Sequence, residues 1–491
     1  MQQIQKLLKK RDFSFTMQLL KTFPKAKIFL VGGIIRDIIL KRKSKDYDFV
    51  VRKVPINKLQ QFLKKHGWVD LVGKTFGVLK FLPKGVKNIE PTCGEFVEPI
   101  DIALPRTEHA FMTGGYRDVT VQSDPKLPIE DDLGRRDFTI NALAYDIKEK
   151  KLIDLYKGLE DIKKKRIKAI GDPTTRFKED YSRTLRGLRF ACQLSFSIEP
   201  KTWAAMKQQI PNLNKKVKGN YTVPRETIAK ELVKAFVADP VKALELYDKS
   251  GAIAILIPEL LKMKKCPQPK NFHSEGDVWK HTLLCLKNLS SQKFTNKFGK
   301  EQPSAELIIA LLLHDCAKPY TLQRADRLRF NNHDAKGAEL ASKIMNRLRL
   351  SNGGIDPDKV NWLIRKHMIA THTKKSPMKN TTIEKYFFND RNPGQDLLKL
   401  IFADVQATVP KNGKPDFTDY YAIEKQINRL KKTSRSKKLP KAILNGTEIM
   451  KICKVSPGPY VGQLKKILRE HQLKGAITTK QQARALLLKK K

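Results

Sequence analysis

Apolar and polar positions along the chain are most sharply patterned over residues 28–51, IFLVGGIIRDIILKRKSKDYDFVV. The apolar run Ile28 to Val31 predicts a strand, Gly32-Gly33 a turn, IIRDIIL a short amphipathic helix, and the residues after a basic loop a second strand carrying Asp46 and Asp48. Side chains two apart on a strand face the same way, so these two carboxylates would share one face and could grip one metal ion. Gly32 and Gly33 stand where a helix opens. Unpaired N–H groups there, with no Cβ in the way, suit the oxygens of a phosphate.

The pattern continues in the same two periods. Residues 68–82, WVDLVGKTFGVLKFL, read as a sheet strand, Pro83 to Glu95 as a polar loop, and FVEPIDIALPRTE as another strand with Asp101 between apolar neighbours. Residues 109–130 have no sustained periodicity and predict a mobile loop over a site. LIDLYKGLEDI predicts a hairpin and turn, and helical spacing then runs from DPTTRFKEDYSRTLRGLRF through TIAKELVKAFVADPVKALELYDKSGAIAILIPEL, so that residues 206–265 form a helical body. After the basic linker RLKKTSRSKKLPK, a Pro457-Gly458-Pro459 turn introduces one more amphipathic helix. Strand patterns thus lead and helical patterns follow along the chain, an α+β order.

Length and charge sharpen this picture. A chain of 491 residues exceeds one ordinary core and predicts several domains. Lys and Arg number 97 against 50 Asp and Glu, a formal net charge of +47, which attracts polyanions and makes RNA, DNA or ribosomes the natural partners. Six cysteines without C-x-x-C spacing argue against a disulfide framework or a zinc knuckle, and a reduced, cytoplasmic setting is the default. No run of eighteen apolar residues or secretory leader stands out, so no membrane is expected.

Candidate chemistry gathers in three further stretches. In EDDLGRRDFTINALAYD, the adjacent guanidiniums of Arg135 and Arg136 suit a triphosphate, and Asp137 could accept from ribose hydroxyls; the plainer reading is a helix entry with an internal salt bridge. Asp180 and Arg183 are three apart, which on a helix places them on one face, in register with Arg186 and Arg189. A carboxylate acceptor beside a guanidinium donor matches cytosine and adenine, which show an amine next to a ring-nitrogen acceptor, and repels guanine and uracil. Taken alone, such a pair is a surface salt bridge. His281 in GDVWKH, His314-Asp315 in LIIALLLHDCAKP and Asp404 in LKLIFADVQAT offer imidazole and carboxylate ligands for a divalent metal, with His333 and His367 available to a second one.

LVGGIIRD followed by DYDFVV, the RRD-FTINALAY stretch and Glu179-Asp180-x-x-Arg183 resemble, in order, the motifs of the class II tRNA nucleotidyltransferase (CCA-adding) and bacterial poly(A) polymerase family. The His281, His314, Asp315, Asp404 pattern resembles the HD metal-dependent phosphohydrolases. Arg106, Glu108 and the tail also fit the first family, while Glu226-Thr227-Ile228 stands where its members often have Glu-Arg-Ile. The resemblance implies a nucleotidyltransferase head over 1–146, a neck with the nucleobase-selecting motif over 147–205, a body over 206–265, an HD domain over 266–435 and a tail over 436–491. It implies addition of C and A from CTP and ATP to the 3′ end of tRNA by two-metal chemistry. Catalytic roles fall on Asp46, Asp48 and Asp101, and nucleotide binding on Gly32, Gly33, Arg36, Arg135, Arg136, Asp137, Asp180, Arg183 and Arg186. Mg2+ is expected in the head, and Mg2+ or a transition metal in the HD domain. Poly(A) polymerase shares these head motifs; GKTFGVLKF favours the tRNA enzymes over the arginine-rich polymerase version. CC-adding or A-adding specialists, a protein that is chiefly an HD phosphohydrolase, and a non-catalytic RNA-binding scaffold are the other readings.

Overall fold

The computed structural model describes residues 2–489 apart from 45, 73–76, 86–98, 116–117, 372, 374, 391 and 433–438. The chain divides into two compact units, Met1–Leu256 and Ile257–Lys491. Much of the 83–95 loop, the start of GKTFGVLKF and the middle of the basic linker lie outside the described residues.

Unit 1 is built on a mixed sheet of β1 (Lys27–Val31), β2 (Asp48–Arg52), β3 (Gly67–Val72), β4 (Val78–Pro83), β5 (Ile100–Ala103), β8 (Ala144–Asp146) and β9 (Lys151–Ile153), in the order β3-β4-β5-β2-β1-β8-β9. The central strands are buried along most of their length because both faces are covered, which is why IFLV reads as a continuous apolar run. One face packs Phe29, Val31, Val50 and Ala144 against Ile129 and Leu133. Elsewhere in the core, edge-to-face contacts join Phe15, Phe49 and Phe81.

Several expected elements take a different form. Residues 68–82 are not one strand but the antiparallel pair β3 and β4, with Gly77, at a left-handed φ of +59, just before β4. The stretch expected to be a loop, 109–130, contributes to a two-stranded hairpin, β6 (Arg106–Ala110) with β7 (Val119–Ser123). Its strands carry too few apolar residues to show an alternating signal. The strand after the basic loop begins at Asp48, so Asp46 sits two residues before it. LIDLYKGLEDI splits between β9, which closes a hairpin with β8, and a helix over Gly158–Lys163.

Behind the sheet, unit 1 is helical, as the 3.6-residue spacing predicts. Its site uses α1 (Gly33–Ile39), α2 (Ile129–Gly134), α3 (Pro173–Glu179) and α4 (Ser182–Leu194), with α5 (Arg225–Ala238) packed along α4. Unit 2 is almost entirely helical. Four of its helices frame a polar pocket: α6 (Val278–Asn288), α7 (Ala305–Leu313), α8 (Pro357–Lys366) and α9 (Gly394–Ala407). Every residue from Leu307 to Leu313 is buried, which fixes the end of α7 in the interior. A small apolar core, including Ile449, Leu464, Leu468 and Leu487, holds the last helices together, with the predicted amphipathic helix at Pro459–Leu473.

Candidate active site and metal centre

Strand register builds the first site. β2 and β5 run parallel with Asp48 opposite Asp101, and β1 pairs antiparallel with β2 so that Val31 lies opposite Asp48. The chain leaves β1 into Gly32, whose φ of +82 is left-handed, and a Cβ there would stand 2.7 Å from the Arg136 guanidinium and 3.5 Å from the Asp48 carboxylate. Gly32 therefore lets backbone, carboxylate and guanidinium crowd together. Burial raises the Asp48 carboxyl to about 6; Arg136 opposes this, and the neighbouring charges of Asp101 and Asp46 add to it. The Lys80 ammonium, across from Asp101 on β4, donates to Oδ1 of Asp101 at 2.6 Å. Three carboxylates that repel one another, one of them already recruiting a cation, have the donor set a hard divalent ion requires.

A cleft of about 980 Å³ opens on these carboxylates, and Arg135, Arg136, Arg183 and Arg186 line its other walls. The arginines are held by acids. Asp132, fully buried on α2, accepts from Arg135 at 2.7 Å and from Arg136 at 3.1 Å, while Glu108 on β6 takes the other Arg135 nitrogen at 2.6 Å. Asp137 accepts from Arg186 at 2.7 Å, from Asn141 at 3.0 Å and from the Phe138 N–H at 2.8 Å, and these partners keep its carboxylate well below the usual range despite burial. Arg36, predicted to bind nucleotide, is nearly buried, paired with Asp37 and donating to Asn141 at 2.6 Å.

Asp180 and Arg183 do not share a helix face. Asp180 is extended backbone between α3 and α4, and its Oδ1 accepts from the Ser182 N–H at 2.8 Å. Arg183, on α4, donates instead to Glu179 at 2.5 Å and to the Arg176 carbonyl at 3.2 Å, and its Nε is 3.9 Å from Asp180 Oδ2. The helix break after Glu179 swaps the partner that i,i+3 spacing predicts. Both groups still line the cleft.

Unit 2 brings the second set together. His281 comes from α6, Asp404 from α9, and His314-Asp315 lie just past the end of α7 rather than on it. His281 Nε2 is 2.9 Å from Asp404 Oδ1, and His314 Nε2 is 3.3 Å from Asp315 Oδ2 and 3.8 Å from Asp404 Oδ1. His333 and His367 approach the other oxygen of Asp315 at 3.5 and 4.0 Å. His314 Nε2 and both Asp315 oxygens are buried with no hydrogen-bond partner among the described residues, although Lys318 Nζ makes an ion pair with Asp315 at 2.7 Å. Buried polar atoms left in this state fit a metal ion.

Glu275 was not among the predicted residues. Its Oε1 accepts from His281 Nδ1 at 2.9 Å and from His273 Nδ1 at 2.6 Å, and its Oε2 from the Val409 N–H at 3.1 Å. Burial would raise its carboxyl, but the two histidine hydrogen bonds bring it down to about 2. The arrangement commits the His281 proton to Nδ1 and leaves Nε2 as a ligand. A carboxylate six residues upstream, in irregular chain, gives no periodic signal. Asp132 could have been found: it lies three and four residues before the two arginines, the spacing of helical ion pairs.

Three family models match the chain: poly A polymerase head domain over residues 28–168, the probable RNA and SrmB-binding site of polymerase A over 195–264, and HD domain over 278–404. An A-adding tRNA nucleotidyltransferase of Deinococcus radiodurans is 30% identical over 73% of this chain and 79% of its own length. A multifunctional CCA protein of Alkalilimnicola ehrlichii is 32% identical over 66% of this chain and 70% of its own. In fold, the chain is similar to the Bacillus stearothermophilus CCA-adding enzyme solved with CTP, with a TM-score of 0.60, 19% identity and 98% of each chain covered. With the motifs in order and the carboxylates in register, these matches show that the chain is an enzyme of the nucleotidyltransferase class and belongs to the tRNA nucleotidyltransferase and poly(A) polymerase family, with an HD domain.

Proposed function

We propose that this enzyme builds the CCA end of tRNA, transferring C and then A from CTP and ATP to the 3′-hydroxyl. The observation that carries the reading is the register of Asp48 with Asp101 at the mouth of an arginine-lined cleft. Asp46, Asp48 and Asp101 would hold Mg2+, which favours ionisation of the RNA hydroxyl and neutralises the leaving pyrophosphate. Arg135 and Arg136, clamped by Asp132, face the triphosphate as a fixed pair of donors. Asp180 retains Oδ2 as an acceptor, and beside the Arg183 donor it supports selection of C and A. The relatives' names support tRNA as the acceptor, and the charge of +47 supports a polyanionic partner, consistent with work in the cytoplasm. Replacing Asp46 by Ala tests the assignment: addition to tRNA should be lost while the fold is kept, and full activity would overturn it.

The pocket of unit 2 supports a second activity, metal-dependent hydrolysis of phosphate esters. His281, His314, Asp315 and Asp404 would hold a divalent ion, which activates water when bound. Asp315→Ala should remove phosphatase activity and spare nucleotide addition.

A further inference from the structure

The metal pocket of unit 2 contains a group that neither the histidines nor the carboxylates account for. Cys285 lies four residues after His281 on α6, so both side chains leave the same face one turn apart. Its Sγ is 3.5 Å from His281 Nε2. Donor atoms of His281, Cys285, His314 and Asp404 all fall within 4.8 Å of one another. Cys285, His281 and His314 are fully buried.

We propose that Cys285 completes, with His281, His314 and Asp404, a four-ligand, thiolate-containing centre for a zinc-class ion. The inference rests on the metal-binding reading of unit 2. Each histidine is oriented for it: Nδ1 of His281 donates to Glu275 at 2.9 Å and Nδ1 of His314 to the Leu311 carbonyl at 2.8 Å, so both rings present Nε2 inward. His314 Nε2 is buried and has no hydrogen-bond partner among the described residues, which makes it a second pointer to a ligand independent of the thiol. A tetrahedral zinc ion with bonds of about 2.0–2.3 Å separates its ligands by about 3.3–3.8 Å. The His281–Cys285 distance of 3.5 Å and the His314–Asp404 distance of 3.8 Å have this size, and the His281–Asp404 distance of 2.9 Å needs only a small opening.

A buried cysteine is more often a small apolar filler. Cys285 differs because two imidazoles and a carboxylate surround its sulfur, where a filler would have hydrocarbon neighbours. Sulfur changes which ion the pocket prefers, since thiolates favour zinc and cobalt over magnesium and manganese. Asp315 is shared between this centre and a neighbouring group: its Oδ2 is 3.3 Å from His314 Nε2, while its Oδ1 faces His333 and His367 at 3.5 and 4.0 Å, and that group of three keeps a position open for water.

The test uses the full chain, reduced, stripped of metal and titrated with Co2+ and then Zn2+. The first equivalent of cobalt should produce a thiolate-to-metal charge-transfer absorption in the near ultraviolet. Cys285→Ser should abolish that band and weaken zinc binding by more than about 10-fold, the lower end of the cost of losing even an outer partner of a ligand. Cys266→Ser should retain both properties. Cys285→Ala repeats the comparison should the serine variant fail to fold. Cobalt binding without the band, or a band that survives in the Cys285 variants, overturns the thiolate alone; absence of any bound metal overturns the metal reading of unit 2 as well.

Discussion

Asp48 and Asp101 stand opposite each other on the parallel strands β2 and β5, so strand pairing sets their register. The sheet itself sets their spacing, so a loop can vary without moving the carboxylates. Replacing either residue by Asn should lower nucleotide addition by at least about 100-fold, in keeping with the loss of a fixed electrostatic group at a reacting centre. Single-turnover assays and thermal melts would show activity lost with the fold kept.

The same cluster makes the metal-free protein sensitive to pH. Folding raises the Asp48 carboxyl from 3.8 to about 6, so between these values the folded state binds more protons than the unfolded state. Stability contributed at this residue therefore falls as pH rises through that window, and the penalty is complete above it. Asp48→Asn should be more stable than the parent at pH 7, by about 3 kcal/mol, and equal to it near pH 3. Urea titrations in EDTA would measure this, and Mg2+ should erase the difference.

Asp132 holds two arginines from beneath and is fully buried. Asp132→Ala leaves Arg135 and Arg136 without their shared acceptor, and should cost about 3–5 kcal/mol in denaturant unfolding. Asp132→Asn should lose less stability but raise KM for the nucleotide.

Gly114, near the tip of the β6–β7 hairpin, has φ of +82, and a Cβ there would lie 1.9 Å from the Tyr181 ring. The Tyr181 N–H donates to the Gly114 carbonyl at 3.0 Å, which ties the hairpin to the residue beside Asp180. Gly114→Ala should cost about 1–3 kcal/mol locally. Hydrogen exchange in 106–123 should quicken while the rest of unit 1 is unchanged.

Glu275→Gln should weaken metal binding to unit 2 by about 10–100-fold, because an amide no longer fixes the His281 tautomer. Calorimetry with Zn2+ measures the change, and circular dichroism should show the fold retained.

Legibility followed period and covalent neighbourhood. β1, the turn at Gly32 and the helices after 173 were readable because burial imposes a continuous or 3.6-residue apolar pattern on them. The β6–β7 hairpin was not, since RTEHA and VTVQS bury too little to alternate. Asp46, Asp48 and Asp101 could be named from motif order, but the direct register of Asp48 with Asp101 belongs to the sheet. Arg183 was drawn to Glu179 by a helix break that three-residue spacing does not show. Glu275 acts from irregular chain, and Cys285, although four residues from His281, gains its meaning only when His314 and Asp404 arrive from other helices.

The central claim is tested most directly by incubating the full chain with tRNA that ends before CCA, and separately with an unstructured RNA, supplying CTP and ATP singly and together. The account predicts that CTP alone adds C residues, that both nucleotides together complete CCA and then stop, and that GTP and UTP are not used. Long A-tails on either RNA, or addition of A alone whatever the tRNA end, would contradict it.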